Sequence, residues 1–517
     1  MSSWANSDLN GSPCMQCGCG NQDVKLVVNG VTSIATTDNN FICATLDWWP
    51  TNKCNYGDCP WGQTGILNLD LSNKILTNAI KAFNPLRIRL GGSLEDHIVY
   101  QFGKQKKCPH FKKREGGLFG FSTACLPRKR WDEVHDFFNK TGFGLNALTG
   151  KKNSVEDKLN WVGNWDPKNS ISLMKYTISK GYKIDSYELG NELCVEGIGA
   201  RVDSVKYAKD ITRLRRIINL LYPNASRRPK VLGPGGFYGK EWFQSFLLNV
   251  APGVVDGVTH HIYNLGALVC VDKDLINKIQ DPYFLSQVAE TFKSVAQAVE
   301  EFTPWAAPWV GEAGGAYNSG SKDVSRTFVN GFWYLDQLGM TSTLNHKVYC
   351  RQTLVGGNYD LLNTTTFIPN PDYYGALLWH RLMGSKVLSV SHEGSPFLRA
   401  YAHCSKNGPG VTVLLINMSN STTFNISLVD DMNLNPILKT VPGRVQKTMR
   451  EEYHLTPKDG NIQSDVVLLN GTPLQLTKSL DIPEMKPQLI DASSPIIAKP
   501  YSIIFIHTKS FKAPTCG

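Results

Sequence analysis

The sequence predicts an α/β protein, a (β/α)8 TIM barrel followed by a C-terminal β-sandwich domain. Between residues 41 and 384, eight short apolar runs each end in polar or glycine residues. Segments with a 3.6-residue apolar period separate most of these runs, which is typical of alternating strands and helices. Eight such alternations favour a closed parallel barrel with an outer ring of helices. A doubly wound open sheet would alternate in the same way, and periodicity alone does not exclude it.

The apolar runs give the expected positions of the barrel strands. They are Phe41–Leu46, Leu86–Leu90, Phe143–Leu148, Ile184–Leu189, Lys230–Leu232, Val254–His261, Pro308–Gly311 and Lys347–Gln352. Two of the helical stripes between them begin just after Ser72 and Ser204, so these serines are the expected N-caps.

After residue 385 the pattern changes to strands without long helices, which predicts a β-sandwich over residues 385–517. Its predicted strands are Leu398–His403, Val411–Asn417, Thr423–Leu428, Asp465–Leu469 and Tyr501–His507. A weak strand signal at Val24–Val31 is expected to add a strand within residues 22–40 to this sandwich. The barrel is therefore expected to occupy residues 41–384.

The cysteines and glycosylation sequons favour the secretory route. The chain has thirteen cysteines, and its eight Asn-x-Ser/Thr sequons are at Asn10, Asn139, Asn224, Asn363, Asn417, Asn420, Asn425 and Asn470. The three sequons between Asn417 and Asn425 predict a solvent-facing, glycosylated edge. We expect secretion to the cell wall or a vacuolar or lysosomal location. The chain opens without a signal peptide, so we expect a truncated or replaced start.

Individual cysteines suggest different roles. Cys404 and Cys516 form a plausible disulfide, although sequence alone does not fix connectivity. Residues 1–21 contain Cys14, Cys17 and Cys19 but no nearby fourth ligand, so a disordered tail is favoured over a metal site.

Charge and hydropathy exclude other classes of protein. The formal net charge of +10 is mild for 517 residues, and no nucleic-acid-binding motif is present. No apolar run reaches the roughly 18 residues that a transmembrane helix requires.

Two carboxyl groups at predicted strand ends indicate glycosidic-bond cleavage. Glu192 ends the fourth predicted strand and Glu312 the seventh, on opposite sides of an eight-stranded barrel. A retaining glycosidase needs a nucleophile and an acid roughly 5 Å apart. Glu312 would be the nucleophile, kept ionised by Arg89, and Glu192 the acid and then the base. Asn191 would bind the sugar 2-hydroxyl.

Simpler explanations exist for several of these residues. An Asn-Glu pair is common, and a strand-end glutamate can be a helix cap or a salt-bridge partner. His260 and His261 are adjacent strand residues that point to opposite faces, and no third ligand appears, so no metal is expected. His261 is expected to face the pocket. Three tryptophans near the first strand would either stack on a substrate or be buried: Trp48, Trp49 and Trp61.

Ordered motifs carry a resemblance to a known family. They are Cys43–Asp47, Arg87–Ser93, Phe143–Leu148, Glu188–Glu192, Val258–His261, Trp309–Glu312, and Arg351–Gln352 with Gly357–Tyr359. With them, the chain resembles the heparanase-type glycosidases of glycoside hydrolase family 79, most closely the plant β-glucuronidase branch. The resemblance covers nearly the whole chain after residue 20.

The resemblance implies a retaining mechanism with Glu192 as acid/base and Glu312 as nucleophile. It implies a uronic-acid subsite formed by Asp47, Ser93, Asn191 and Tyr359, with backbone amides from Tyr317, Asn318, Ser319 and Gly357 for the substrate carboxylate. The pocket-facing His261 is expected to bind substrate as well. Supporting roles are expected for Arg89, Asn146, Tyr263 and Arg351. Animal heparanases have glycines where Asn318 and Ser319 stand, and threonine where Ser93 stands.

We therefore expect a cofactor-independent β-glucuronidase that acts on glucuronides or acidic glycans. The alternatives are an endo-acting, heparanase-like hydrolase of acidic polysaccharide and an inactive carbohydrate-binding scaffold. A basic stretch within residues 104–130, which Cys108 and Cys125 could close, would bind polyanions weakly or form a solvated loop. This stretch is short where animal heparanases have an excised linker, so a single uncut chain is expected.

Overall fold

The structure is a computed structural model that describes residues 20–51, 53–54, 59–109, 112–118, 121–138, 140–196, 198–267, 274–430 and 448–517. The predicted disordered tail lies outside the described residues, apart from its last two positions. The sequons at Asn10 and Asn139 also lie outside the described residues.

Eight parallel strands close into a barrel within the described segments. In chain order they are Ile42–Leu46, Arg87–Leu90, Thr141–Leu145, Ser186–Leu189, Lys230–Phe237, Gly257–Ile262, Ala307–Ala313 and Tyr349–Arg351. The last strand pairs with the first, Tyr349 opposite Ile42, and a disulfide joins Cys43 to Cys350 across that seam. Because the sheet has no edge, the doubly wound alternative is excluded.

The fifth strand is longer than predicted. It continues past Leu232 to Phe237 and pairs with the sixth strand, with a register shift between Pro234 and Gly236. The sequence Gly233-Pro234-Gly235-Gly236 has the composition of a turn, but here its backbone remains in the sheet. Glycines and proline are tolerated at such a bulge, which the propensity argument did not anticipate.

The helices of the described segments pack mainly outside the barrel. They are Lys74–Lys81, Arg128–Phe137, Lys168–Ser179, Ser204–Leu221, Lys240–Leu248, Leu275–Gln280, Pro282–Ser286, Ala289–Phe302, Asn330–Thr343 and Pro371–Leu382. Short 3-10 turns lie at Glu95–His97, Ala225–Arg227, Lys458–Gly460 and Pro514–Cys516.

Both predicted N-caps are wrong by one residue. Asn73 caps the first helix by accepting from Leu76 N at 3.0 Å, and Asp203 caps the fourth by accepting from Lys206 N at 3.1 Å. Ser72 instead donates to Asp70, and Ser204 pairs with another serine hydroxyl. Asn and Asp are as effective as Ser at this position, so sequence alone did not separate the neighbours.

The C-terminal β-sandwich is built on eleven strands in the described residues. They are Asn21–Thr36, Met383–Ser391, Leu398–Ser405, Val411–Asn417, Thr423–Asp430, Met449–Pro457, Val467–Leu469, Thr472–Pro473, Gln488–Asp491, Ile496–Ala498 and Ser502–Thr508. Asn21–Thr36 lies parallel to Thr423–Asp430 and antiparallel to Met383–Ser391, and it contributes Leu26 to the sandwich core. The exact domain boundaries stay a prediction.

Three small sheets, one of three strands and two of two strands, lie in the barrel loops of the described segments. They are Ile98–Tyr100 with Phe121–Leu126 and Lys112–Leu118, Lys152–Asn153 with Trp161–Val162, and Gly266–Ala267 with Ala316–Tyr317.

Four disulfides join cysteines of the described residues. The predicted pairs Cys404–Cys516 and Cys108–Cys125 are confirmed. Cys43–Cys350 and Cys54–Cys59 were not predicted, and Cys194 is a buried free thiol. No helix of the described chain has the length and apolarity that a membrane crossing requires.

The prediction of a glycosylated edge is wrong at Asn417. This residue is 0% exposed, and its amide nitrogen donates to the carbonyl oxygens of Thr422, Ala498 and Lys499 at 2.8–3.0 Å. Its side chain therefore joins two parts of the sandwich and is closed to a glycan. Asn420, three residues later, is exposed.

Candidate active site

The barrel brings two carboxyl groups and one imidazole together at the C-terminal ends of its strands. Glu192 follows the fourth strand, His261 lies near the end of the sixth, and Glu312 near the end of the seventh. One carboxylate oxygen of each glutamate and one ring nitrogen of His261 all lie within 4.8 Å of one another. All three side chains are buried. Both carboxyl groups can therefore reach one bond.

Arg89, on the second strand, connects the groups around this centre. Its guanidinium donates to Glu188 at 2.7 Å, to Glu312 at 2.7 Å and to the Asn191 side-chain oxygen at 2.8 Å. Burial alone would lower the pKa of Arg89, but the charges of Glu188 and Glu312 raise it. Burial alone would likewise raise the pKa of Glu188, but Arg89 lowers it. The cation and its carboxylates thus hold one another in the charged state.

Glu192 has a less polar environment. Burial raises the pKa of Glu192 to about 7, and the Arg89 charge offsets this only in part. His261 Nδ1 lies 2.9 Å from Glu192 Oε1, and burial lowers the pKa of His261 to about 4. The other ring nitrogen of His261 faces an Arg89 nitrogen at 3.4 Å. Because arginine only donates, that nitrogen accepts, so Nδ1 carries the proton and donates to Glu192.

Glu312 accepts hydrogen bonds on both oxygens. Tyr263 donates its hydroxyl to Oε1 at 2.6 Å, and Arg89 donates to Oε2 at 2.7 Å. Burial raises the pKa of Tyr263, so the phenol keeps the proton that it donates. Two donors, one of them a cation, suit a carboxylate anion at Glu312.

The backbone that carries Glu192 is strained and held from several sides. Glu192 has φ +56°, in the left-handed region that non-glycine residues rarely adopt. Its amide donates to Gly235 O at 2.6 Å, and the Asn191 amide donates to Asp96 at 2.9 Å. The other Asp96 oxygen accepts from Ala147 N at 2.7 Å. These contacts over-determine the loop, as is common where a side chain must be placed for function.

Glu192, His261 and Glu312 have the donor types and the spacing of a possible metal site. Arg89 already presents its guanidinium to Glu312 at 2.7 Å and to His261 at 3.4 Å. A second cation at this place would be repelled at short range by that charge. The donor set is better suited to proton transfer and carboxylate chemistry.

A cavity of about 440 Å³ opens over the two glutamates. Its size is in the range of small-molecule sites. It is lined by Asp47, Trp49, Lys53, Trp61, Ser93, Glu192, Ile198, Phe237, Tyr263, Glu312, Tyr317, Asn318, Ser319, Gln352 and Tyr359.

The chain matches the sequence model of one known family. Residues 23–339 match the model "Glycosyl hydrolase family 79, N-terminal domain". The chain belongs to glycosyl hydrolase family 79. It is therefore a glycoside hydrolase, and the resemblance seen in its motifs is confirmed.

Relatives in this family match almost the full chain. Heparanase-like protein 2 of Arabidopsis thaliana is 50% identical over 98% of this chain and 97% of its own length. Baicalin-beta-D-glucuronidase of Scutellaria baicalensis is 41% identical over 95% of this chain and 93% of its own length. Heparanase of Bos taurus is 28% identical over 83% of this chain and 74% of its own length.

Solved structures agree with the barrel and sandwich of this family 79 chain. A 4-O-alpha-L-rhamnosyl-beta-D-glucuronidase from Fusarium oxysporum superposes with a TM-score of 0.65 at 13% identity, covering 93% of this chain and all of that one. A GH51 arabinofuranosidase from Xanthomonas axonopodis pv. citri also has a TM-score of 0.65, at 15% identity, covering 94% and 99%. At these identities the likeness establishes the fold.

Most residues that the sequence predicted for the sugar subsite meet at the cavity. Asp47, Ser93, Tyr359 and the segment 317–319 line it. Asn191 lies beside Glu192, and its side-chain nitrogen Nδ2 is buried without a hydrogen-bond partner among the described residues. A Cβ at Gly92 would overlap the Asp47 carboxylate, and the φ of +112° at Gly92 also requires glycine.

Asn318 and Ser319 explain a departure from the animal heparanases. They have φ +62° and φ +78°, where glycine is the residue with least strain. The Ser319 hydroxyl accepts from the Trp61 indole at 2.9 Å, so this chain has a side-chain contact that glycine would lack.

Three predicted residues lie behind the cavity wall. The expectation that His261 faces the pocket is wrong, because its ring is 0% exposed and contacts Glu192 and Arg89 instead. The side chain of Asn146 donates to Ile98 O and accepts from two backbone amides of its own loop. Arg351 donates to Tyr359 O at 2.9 Å and therefore supports a lining residue from behind.

Gly357 also lies outside the cavity lining. Its carbonyl oxygen accepts from Arg326 at 2.7 Å, and a Cβ at this position would contact the ring of Tyr359. The predicted contact between its amide and a substrate carboxylate stays a prediction.

Sequence reasoning missed Lys53, Ile198, Phe237 and Asp96. The first three line the cavity from loops or strand ends whose apolar or charged residues had no distinctive spacing. Asp96 is visible in the sequence only as an acid soon after Gly91-Gly92-Ser93. Its role depends on backbone amides in the loops that follow two other strands, and no local sequence pattern marks such contacts.

Proposed function

We propose that this family 79 member is a retaining β-glucuronidase that cleaves β-D-glucuronosyl bonds by double displacement, without a cofactor. The observation that carries the proposal is the placement of Glu192 and Glu312 oxygens within 4.8 Å. Carboxyl groups about 5–5.5 Å apart are typical of retaining enzymes, whereas inverting enzymes need about 6.5–9.5 Å for a water molecule.

In the first step Glu192 acts as the acid. A pKa of about 7 keeps a large share of it protonated in mildly acidic solution. It gives its proton to the glycosidic oxygen, while a Glu312 oxygen attacks the anomeric carbon. The bond to the leaving group breaks, the leaving group departs as a neutral alcohol or phenol, and a glycosyl ester forms on Glu312.

In the second step Glu192 acts as the base. Now a carboxylate, it takes a proton from water, whose oxygen attacks the anomeric carbon and displaces Glu312. The configuration is retained after two inversions. His261 Nδ1–H donates to Glu192 and keeps its orientation in both steps. Tyr263 and Arg89 stabilise the Glu312 carboxylate when it leaves.

The sugar subsite in this proposal is built on Asp47, Ser93 and Tyr359, with amides from residues 317–319 and Gly357 for the carboxylate. The unpartnered side-chain nitrogen of Asn191 is available to donate to the sugar 2-hydroxyl. Its side-chain oxygen is already bound by Arg89, which fixes the direction in which the amide points.

Relatives support glucuronides as the substrate class. The names of baicalin-beta-D-glucuronidase and of the hyaluronoglucuronidase of Hirudo nipponia both specify glucuronide cleavage. For this chain we propose conjugates or glycans with a terminal glucuronic acid, and secretion or delivery to a vacuole or lysosome, an environment suited to its disulfides. In the basic stretch, Lys104, Lys106 and Lys107 are exposed and are the candidates for weak polyanion binding.

The test uses 4-nitrophenyl β-D-glucuronide, with NMR to follow the anomer that is released first. We expect the β-anomer. Glu312→Ala and Glu192→Ala should each lower kcat by about 10²–10⁴-fold or more. Azide should rescue each variant in a different way, giving the β-azide with Glu192→Ala and the α-azide with Glu312→Ala. The matched control is Glu300→Ala, at an exposed position on an outer helix. First release of the α-anomer, or full activity in either variant, would refute the proposal.

A further inference from the structure

The cavity that receives the sugar is rich in acidic groups. Asp47, Glu192 and Glu312 all line it, and burial together with the Glu312 charge raises the pKa of Asp47 to about 7. A glucuronate brings one more negative charge into this space. Backbone amides are partial charges only, so a full positive charge nearby would offset the repulsion far better.

Lys53 is placed to supply that charge. Among the described residues that line the cavity, it is the one lysine or arginine. Its ammonium lies 4.5 Å from the centre of the Trp49 ring, a distance at which the ring face stabilises a cation. The side chain is neither fully buried nor fully exposed. Burial lowers the pKa of Lys53, so the ammonium has already lost part of its hydration before a ligand binds.

The surroundings connect Lys53 to the loop proposed for carboxylate binding. Trp49 packs against Trp61 with ring centres 6.1 Å apart, and the Trp61 indole donates to Ser319 at 2.9 Å. Lys53 and the segment 317–319 therefore lie on the same part of the cavity wall. Asp47, the acid nearest in sequence, accepts from Gln352 and from Trp48 N, and its charge partly offsets the lowering of the Lys53 pKa by burial.

We propose that Lys53 is the ionic partner of the substrate carboxylate and makes the site prefer a uronic acid to an uncharged sugar. This inference rests on the proposed glucuronidase function and adds a specificity-determining residue to it. Lys53 would contact the carboxylate from the loop after the first barrel strand, beside the amides of the loop after the seventh. The role is in binding, so its loss should be expressed mainly in KM.

The experiment compares 4-nitrophenyl β-D-glucuronide with its methyl ester, which removes only the charge. In Lys53→Met we expect kcat/KM for the acid to fall by about 10- to 100-fold, the range for a lost charge-assisted hydrogen bond. The ester should change little, so the acid-to-ester ratio collapses. Lys53→Arg should restore part of the ratio, because it keeps the charge with a different geometry. Lys209→Met, at an exposed position on an outer helix, is the matched control.

The outcomes separate this inference from the proposed function. If the unmutated protein hydrolyses neither substrate, the glucuronidase proposal fails, and the role of Lys53 fails with it. If the unmutated protein prefers the acid but Lys53→Met keeps the ratio, only the role of Lys53 is refuted. Equal losses on both substrates would show a structural role, and Lys53→Gln, which keeps most of the side-chain length without its charge, would repeat the test if the Met variant does not fold.

Discussion

At the scale of single residues, the site depends on two similar carboxyl groups in unlike surroundings. Glu312 accepts from a guanidinium and a phenol, whereas Glu192 has a neutral imidazole as its nearest partner. Arg89 therefore distinguishes the two glutamates, because its direct contact is with Glu312. In the proposed mechanism this difference in charge environment separates the acid from the nucleophile.

The acid role proposed for Glu192 predicts a pH dependence. Because its pKa is raised to about 7, the protonated fraction falls as pH rises through that value, and kcat/KM should fall with it. Asp47 has a pKa raised to about 7 and titrates in the same range, so it must be tested beside Glu192. We expect the residual activity of Glu192→Gln to lack the alkaline limb, while Asp47→Asn keeps it. The reverse result, measured as kcat/KM against pH, would contradict this assignment.

At the scale of elements, helix Asn330–Thr343 joins the barrel to the sandwich. It is buried nearly all round, so its sequence shows little amphipathic pattern. Asp336 on this helix accepts from the hydroxyl of Tyr401, a sandwich residue, at 2.6 Å. One turn further, a Cβ at Gly339 would overlap the Tyr401 ring. The two domains approach closely because this position has no side chain.

Gly339→Ala should therefore destabilise the protein. The overlap with a ring held by its own hydrogen bond should cost about 1–3 kcal/mol, more than the gain of about 1 kcal/mol from better helix propensity. The measurement is the free energy of unfolding in urea, or Tm. Gly331→Ala is the matched control on the same helix, since its Cβ would meet Ile503 only at 3.2 Å. Equal stability of the two variants would show that Tyr401 moves aside freely.

At the scale of the whole molecule, sequence pattern predicted what depends on period and order. Eight alternations gave the barrel, and strand counting placed Glu192 opposite Glu312. The sequence pattern did not predict features whose position depends on tertiary contacts. The glycine-rich segment after Leu232 stays in the sheet because the sixth strand pairs with it. His261 lies behind the cavity wall, where its ring nitrogens contact Glu192 and Arg89. Lys53 reaches the cavity through a loop whose course no local pattern determines.

The two ends of the cavity differ in their lining, which affects how a glycan can enter. Ile198 and Phe237 lie on the side of Glu192: the Ile198 amide donates to Glu192 O at 3.2 Å, and the Phe237 ring lies 6.4 Å from that of His261. In the proposed mechanism the acid protonates the leaving group, so we expect this apolar side to face the aglycone. At the sugar end, the Trp61–Ser319 hydrogen bond of 2.9 Å joins the loops after the first and seventh strands. We expect that contact to limit the space beyond a terminal sugar.

This asymmetry predicts release of single sugars from chain ends. On a polysaccharide with terminal glucuronic acid, we expect monomer to appear while the mean chain length, followed by size-exclusion chromatography, falls only slowly. Ser319→Gly removes the hydroxyl that joins the loops without adding backbone strain, because Ser319 already has φ +78°. It should increase cleavage of internal bonds relative to release of ends, with Glu312→Ala as the inactive control. An early fall in chain length with the unmutated protein would mean that the sugar end is open, and the endo-acting alternative would then replace the exo-acting one.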